Sequence, residues 1–159
     1  KSDYGCVKVN INSDEAALAA YDTIQKNAEG HTFRGVMVYE MVQGAQEILL
    51  GFIRDRQFGP VVMCGMGGIY TELLRDTTLR VAPVDKAAAL DMLRGLRGYK
   101  LLTGMRGGKP VDEAALAQLI ADFSQLPFLY PNMSEADLNP VFLSEKGAVA
   151  GDVRLIFRT

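Results

Sequence analysis

Glu135-Ala136-Asp137-Leu138-Asn139-Pro140-Val141-Phe142-Leu143, Ser144-Glu145-Lys146-Gly147 and Ala148-Val149-Ala150-Gly151-Asp152-Val153-Arg154-Leu155-Ile156 form one continuous stretch, and its reading decides the fold. Two runs of apolar residues with intervening polar ones flank a short polar segment that closes on glycine, the pattern of a β-hairpin. With a connection running from Ser144 to Gly147, Leu143 lies opposite Ala148, Asn139 opposite Asp152, and Asp137 opposite Arg154. Side chains alternate along a strand, so Asp137 and Asn139 share a face. Two carboxylates, a carboxamide and a guanidinium then occupy one patch of sheet. A one-residue difference in the connection would turn Asp152 to the other face. Oxygen donors of this kind suit Mg²⁺, which takes one or two carboxylates together with nucleotide phosphates. The same residues also fit an ordinary polar sheet face beside a turn.

The rest of the composition narrows the function classes. A chain of 159 residues that is 48% hydrophobic can bury a core and is not a disordered segment. The net charge of −2, with no basic run, argues against nucleic acid as the main partner. No apolar run approaches the roughly 20 residues of a membrane span. The first residues, Lys1-Ser2-Asp3-Tyr4-Gly5-Cys6, carry neither a signal peptide nor an initiating methionine and read as an internal cut in a longer protein. Cys6 and Cys64 stand far apart without a CxxC pattern, which reads as two free thiols in a reducing cytoplasm. With two cysteines and one histidine, a Cys/His metal site is not expected.

Ahead of the hairpin, alternation predicts strands over 7–11 and 35–42, then over 47–53 and from Val61 onward, with a turn over 55–60. Strands with such short connections point to a largely antiparallel sheet in an α+β fold, not a βαβ repeat. Asn12 or Ser13 caps a first helix with Asp14 and Glu15 in its opening turn and Gly30 as its stop. His31 follows in a polar loop and reads as solvated, not catalytic. Cys64-Gly65-Met66-Gly67-Gly68 reads as a tight turn by default, although glycines also bring amide N–H groups close to anions. It is no P-loop, because no Gly-Lys-Ser/Thr follows. A short strand over 79–83 carries Arg80 toward the buried side. Asp85 caps a helix to about Arg97 with Gly98 as its stop, 101–110 is a Gly-rich basic connection, and Asp112 caps a helix ending near Pro127. No repeat, long linker or second domain boundary is visible, so 1–159 reads as one module.

Three stretches together resemble one family. They are Lys1-Ser2-Asp3-Tyr4-Gly5, then Phe58-Gly59-Pro60-Val61-Val62-Met63-Cys64-Gly65-Met66-Gly67-Gly68-Ile69 with Glu72, and Asp137-Leu138-Asn139-Pro140 with Asp152. They resemble the ATP-grasp domain of the NDP-forming acyl-CoA synthetases, typified by ADP-forming acetate–CoA ligase and related to the β subunit of succinyl-CoA synthetase. The resemblance implies an ATP-grasp fold, here the C-terminal part of the module, binding ATP or ADP with Mg²⁺. It implies that Glu40, Met41 and Val42 lie at an adenine-facing hinge and that Glu47 is an acidic residue near the ribose. By the same resemblance, Asn139 and Asp152 match the metal ligands, and Asp137 the position that meets a phosphorylated histidine. Lys1, Ser2, Asp3 and Gly5 fall at a phosphate-covering loop, and Gly65, Gly67 and Gly68 near the acyl or phosphate transfer region.

The implied chemistry converts a carboxylate, CoA and ATP into acyl-CoA, ADP and phosphate, through an acyl phosphate and a phosphohistidine. A CoA-binding domain or subunit carrying the relay histidine is the implied partner, and His31 does not match that histidine. The histidine usual before Lys-Ser-Asp and an upstream phosphate-binding lysine do not occur within this sequence. The chain therefore reads as truncated on its N-terminal side and inactive alone. A competing reading is a non-catalytic or regulatory ATP-grasp-like module of a protein lysine acetyltransferase. Retention of Glu40, Asn139 and Asp152 speaks against it. A purely structural interaction domain ranks last.

Overall fold

The structure is a computed structural model that describes residues 4–42, 45–68, 75–104 and 110–158. The chain divides into two compact units, Lys1–Gln43 and Gly44–Thr159.

The first unit is built on one helix, α1 (Asp14–Asn27). Ser13 is its N-cap, accepting from the Ala16 N–H at 3.2 Å, and Asp14 and Glu15 lie where the helix dipole favours acids. The helix closes at Ala28, two residues before Gly30, whose φ of +86° carries the chain out of the turn. Asn27 Nδ2 donates to the Gly5 carbonyl at 3.2 Å, and Tyr21 meets Phe33 edge-on at 5.9 Å. The strands expected over 7–11 and 35–42 are absent among the described residues, which follow an irregular course there. Alternation marks a segment suited to a sheet, but a strand exists only with a hydrogen-bonded neighbour. None is found among the described residues of this unit.

The second unit carries a six-stranded antiparallel sheet. Its strands are β1 (Gln46–Asp55), β2 (Gly59–Met66), β3 (Thr77–Val81), β4 (Met133–Ser144), β5 (Gly147–Ala150) and β6 (Val153–Phe157). The spatial order is β3-β2-β1-β4-β5, with β6 on the same flank of β4 as β5. The β1–β2 turn is held by Asp55, whose Oδ1 accepts from the Gln57 and Phe58 N–H groups at 2.8 and 2.9 Å, and Gly59 follows at a φ of +75°. Cys64 to Met66, expected in a turn, continue β2, and among the described residues Gly67 and Gly68 follow it outside the strand. Arg80 is exposed, not buried, because β3 is the edge strand and packs little on either face.

Helices cover one face of this sheet. Asp85 caps α2 (Lys86–Arg94), accepting from Ala88 at 2.7 Å, and Asp112 caps α4 (Glu113–Phe123), accepting from Ala115 at 2.9 Å. Both helices are shorter than expected. The first ends at Gly95 instead of Gly98, and Gly98 opens the single turn α3 (Tyr99–Leu102). The second ends at Ser124 and is followed by the single turn α5 (Leu126–Leu129), where Pro127 sits in the first turn that tolerates it. Ile48, Leu50, Phe52, Val62, Cys64, Ala136 and Leu138 from the sheet pack against Met92, Leu93, Leu116, Ile120 and Phe123 from the helices. Sheet residues at even positions from 48 to 66 therefore face the core, and their odd neighbours face away. No helix among the described residues is long and apolar enough to cross a membrane.

Candidate functional site

The hairpin register is the one read from the sequence. Ser144 pairs with Gly147, Leu143 with Ala148, Leu138 with Val153 and Asp137 with Arg154. The Asn139 N–H donates to the Asp152 carbonyl at 3.1 Å, so those two residues are direct cross-strand neighbours. Opposed residues in an antiparallel pair project to the same side. The structure thus brings Asp137, Asn139 and Asp152 onto one patch.

Something the alternation did not reveal lies at the same place. Along β1, Ile48 pairs with Val141 but Leu50 pairs with Leu138, so β4 accommodates one extra residue at Asn139-Pro140. This β-bulge changes the parity of β4. Ala136 and Leu138 face the core before it, Val141 and Leu143 after it. Bulges bend a strand and re-aim a side chain, and they gather beside functional sites. The bulge leaves Asn139 exposed, opposite an exposed Asp152 whose Oδ1 accepts from the Val153 N–H at 3.0 Å. One carboxamide oxygen and one carboxylate form the donor set Mg²⁺ takes when phosphates and water complete its shell. No group of three or more His, Cys, Asp or Glu able to hold a metal by itself occurs among the described residues, so this pair suits a shared ion and not a closed cage. The donor set fits.

Asp137 is half-buried on the face away from the helices. Burial, then the charge of Glu135, holds its carboxyl above the ordinary aspartate range; Arg154 opposes this and Asp152 adds to it. Arg154 Nη1 lies 3.8 Å from Glu135 Oε1. Across the sheet Asp137 belongs to a row Leu79–Met63–Gly51–Asp137–Arg154, one residue from each successive strand. This row crosses a groove of about 530 Å³ lined by apolar side chains such as Leu49, Ile53 and Met63 and by three carboxylates, Asp55, Glu135 and Asp137.

Glu47, Gly67 and Gly68 form a second group. The Gly67 N–H donates to the Glu47 carbonyl at 2.6 Å, and a Cβ on Gly67 would lie 2.7 Å from the Glu47 carbonyl carbon. Gly68 has a φ of +62°, and its Cβ position is 3.2 Å from Glu47 Oε2. Glu47 falls on the same sheet face as Gly51, four residues or about 13 Å along the strand. Gly65 serves the ladder: a Cβ there would meet Thr77 Cγ2 at 2.7 Å. Glu40, Met41 and Val42 belong to the first unit, with Glu40 and Met41 exposed. Lys1 and Ser2 lie outside the described residues, as do Asp3 and Glu72. His31 is exposed.

Sequence reasoning missed Glu135 and the apolar groove. The alternation of 47, 49, 51 and 53 held the signal, since a strand packed on one side only leaves its second set of side chains free to line a site.

Residues 1–157 match the ATP-grasp domain family. The chain belongs to that family. It is 45% identical over 160 residues to the β subunit of ADP-forming acetate–CoA ligase I of Pyrococcus furiosus, covering 98% of this chain and 69% of that subunit. It is 41% identical to ADP-forming acetate–CoA ligase I of Archaeoglobus fulgidus over 98% of this chain, but spans only 23% of that protein. Among solved structures, it matches an acetyl-coenzyme A synthetase of Candidatus Korarchaeum cryptofilum in complex with coenzyme A and Ca-AMPCP. That match has a TM-score of 0.94 at 40% identity, covering 99% of this chain and 71% of the other. A second structure of that protein, with coenzyme A and Mg-AMPPCP, has its phosphohistidine segment pointing towards the nucleotide-binding site. Its TM-score is 0.87 at 40% identity, covering 99% of this chain and 70% of the other. The six-stranded antiparallel sheet with flanking helices is the ATP-grasp fold of these relatives.

Proposed function

We propose that this chain supplies the nucleotide- and Mg²⁺-binding part of an ADP-forming acyl-CoA synthetase. The observation that carries the reading is the hairpin register, which puts Asp137, Asn139 and Asp152 on one patch at a β-bulge. In the direction of acid activation, the bond between ADP and the γ-phosphorus breaks as a histidine nitrogen of the CoA-binding partner takes the phosphoryl group. The phosphoryl group passes to a carboxylate oxygen of the acid, and attack of the CoA sulfur on that acyl phosphate releases phosphate. Asn139 and Asp152 hold the cation, whose charge offsets that of the transferring phosphate. Asp137, two residues before the bulge, receives the partner's histidine and orients its ring. By the family resemblance, Glu40, Met41 and Val42 correspond to the adenine-facing hinge, Glu47 to an acidic residue near the ribose, Lys1 and Ser2 to the phosphate-covering loop, and Gly65, Gly67 and Gly68 to the acyl or phosphate transfer region. The partner is a CoA-binding domain or subunit, in keeping with the β-subunit relatives. The cytoplasm is the setting that the two free cysteines support.

Calorimetric titration of ADP and ATP into the ligase assembled with its CoA-binding partner tests this, with and without Mg²⁺, beside Asn139→Ala and Asp152→Ala. Mg²⁺-dependent binding, weakened by about tenfold or more in each variant, is expected for a lost cation ligand. Wild-type binding that ignores Mg²⁺, or variants that bind like wild type, would refute the metal assignment.

A further inference from the structure

Asp76 is a buried carboxylate outside the hairpin patch, and the chain is shaped around it. Its Oδ1 accepts from the Arg97 N–H at 2.8 Å and its Oδ2 from the Gly98 N–H at 2.7 Å. Its backbone carbonyl accepts from the Met66 N–H at 3.1 Å. Two glycines clear the space it occupies. A Cβ on Gly65 would lie 2.9 Å from the Asp76 carbonyl oxygen. A Cβ on Gly98 would lie 3.1 Å from Asp76 Oδ2 and 2.9 Å from Met66 Cγ. The residue before it, Arg75, holds a φ of +46°, which a non-glycine residue adopts at a cost. Such strain persists where surrounding contacts over-determine it, and it gathers at functional sites.

These contacts lead to the group formed by Glu47, Gly67 and Gly68. Consecutive amides at the end of β2 donate to opposite neighbours, Met66 to Asp76 and Gly67 to the Glu47 carbonyl at 2.6 Å. Asp76 therefore grips the chain on one side, one residue before Gly67 meets Glu47 on the other. Glu47 itself pairs with Phe142 across β4 and has Gly67 as its contact on the β2 side. The carboxylate of Asp76 adds what the strand ladder alone does not supply. It fixes residue 76 to the connection between α2 and α3, so the helical layer as well as the sheet sets the position of the Met66-Gly67 corner.

We propose that Asp76 is a positioning residue for the nucleotide: by joining the Arg97-Gly98 turn to Met66, it holds Gly67 and Glu47 in the geometry that receives the nucleotide. This rests on the function proposed above, which sets Glu47 near the ribose and Gly67 in the transfer region. Buried at 5% exposure, Asp76 acts through that corner and not on the substrate directly.

The test uses Asp76→Ala and Asp76→Asn in the ligase assembled with its CoA-binding partner. Arg54→Ala is the control, because Arg54 fastens the opposite end of β1 and lowers stability there when removed. Affinities for ADP with Mg²⁺ and for CoA are read by calorimetry, at a temperature where circular dichroism shows each variant folded. ADP affinity is expected to fall about tenfold in Asp76→Ala and about threefold in Asp76→Asn, which keeps one acceptor oxygen, with CoA affinity kept within about twofold. Arg54→Ala should bind both ligands within about twofold of wild type. If Asp76→Ala does not fold, Asp76→Asn decides on the same criteria. Unchanged ADP affinity in the Asp76 variants overturns the proposal. An equal loss of CoA affinity, or an equal loss of ADP affinity in Arg54→Ala, overturns it too, since either marks a general loosening of the fold. A wild-type ligase that binds no ADP would overturn the function proposed above and this inference with it, whereas a binding wild type with indifferent Asp76 variants overturns the inference alone.

Discussion

Asp76 offers the sharpest test of how the end of β2 is held. Its carboxylate is buried at 5% exposure, accepting from the Arg97 N–H at 2.8 Å through Oδ1 and from the Gly98 N–H at 2.7 Å through Oδ2. Its own carbonyl accepts from the Met66 N–H at 3.1 Å, next to the Gly67–Glu47 contact. Asp76→Ala takes the acceptor from two amide donors in a part-buried setting, each costing about 1–3 kcal/mol. Relief of the buried charge offsets part of this, so the expected net loss is about 2–4 kcal/mol. With a urea m-value near ~2 kcal/mol/M, the midpoint falls by about 1–2 M. Asp76→Asn keeps one acceptor oxygen and is expected to lose about half as much. Urea unfolding followed by circular dichroism measures both. A loss below ~1 kcal/mol in Asp76→Ala, with m unchanged, would show that water or local relaxation satisfies those donors, and the reasoning would fail.

Two further outcomes are expected. Arg54 donates through Nε to the Met133 carbonyl at 2.7 Å and through Nη2 to the carbonyls of Pro127 and Tyr130, fastening the end of α5 to β4. Arg54→Ala should cost about 2–4 kcal/mol in the same urea assay, and Arg54→Lys should not restore it, because an ammonium lacks the planar fork. Burial and, second, the Asp76 charge push the Cys64 thiol up to about 12 from an ordinary 9.0. Its unfolded form therefore ionises first, so this contribution to stability is intact below pH 9.0 and is lost as pH rises through about 12. At pH 8 a thiol reagent should label Cys64 only as fast as the second unit opens. Rapid labelling in the folded protein, followed by mass spectrometry, would contradict this burial.

The sequence by itself determined the features whose causes are local. Ser13, Asp85 and Asp112 announce three helix starts because a cap is a contact three residues long. The hairpin register was legible because the short Ser144–Gly147 connection allows one pairing that keeps the apolar face intact, and Asp137, Asn139 and Asp152 came together with it. Features that depend on a distant neighbour were decided by the tertiary structure. Residues 35–42 alternate as well as β1 does, yet only β1 has partners on both sides. The bulge at Asn139-Pro140 exists only against β1, since the pairing of β4 with β5 and β6 runs through that point without a shift. The burial of Gly51 likewise arises only when Met63 and Asp137, 74 positions apart in the chain, flank it in the sheet. Local chemistry fixes which residues are able to act; long-range pairing fixes which of them meet.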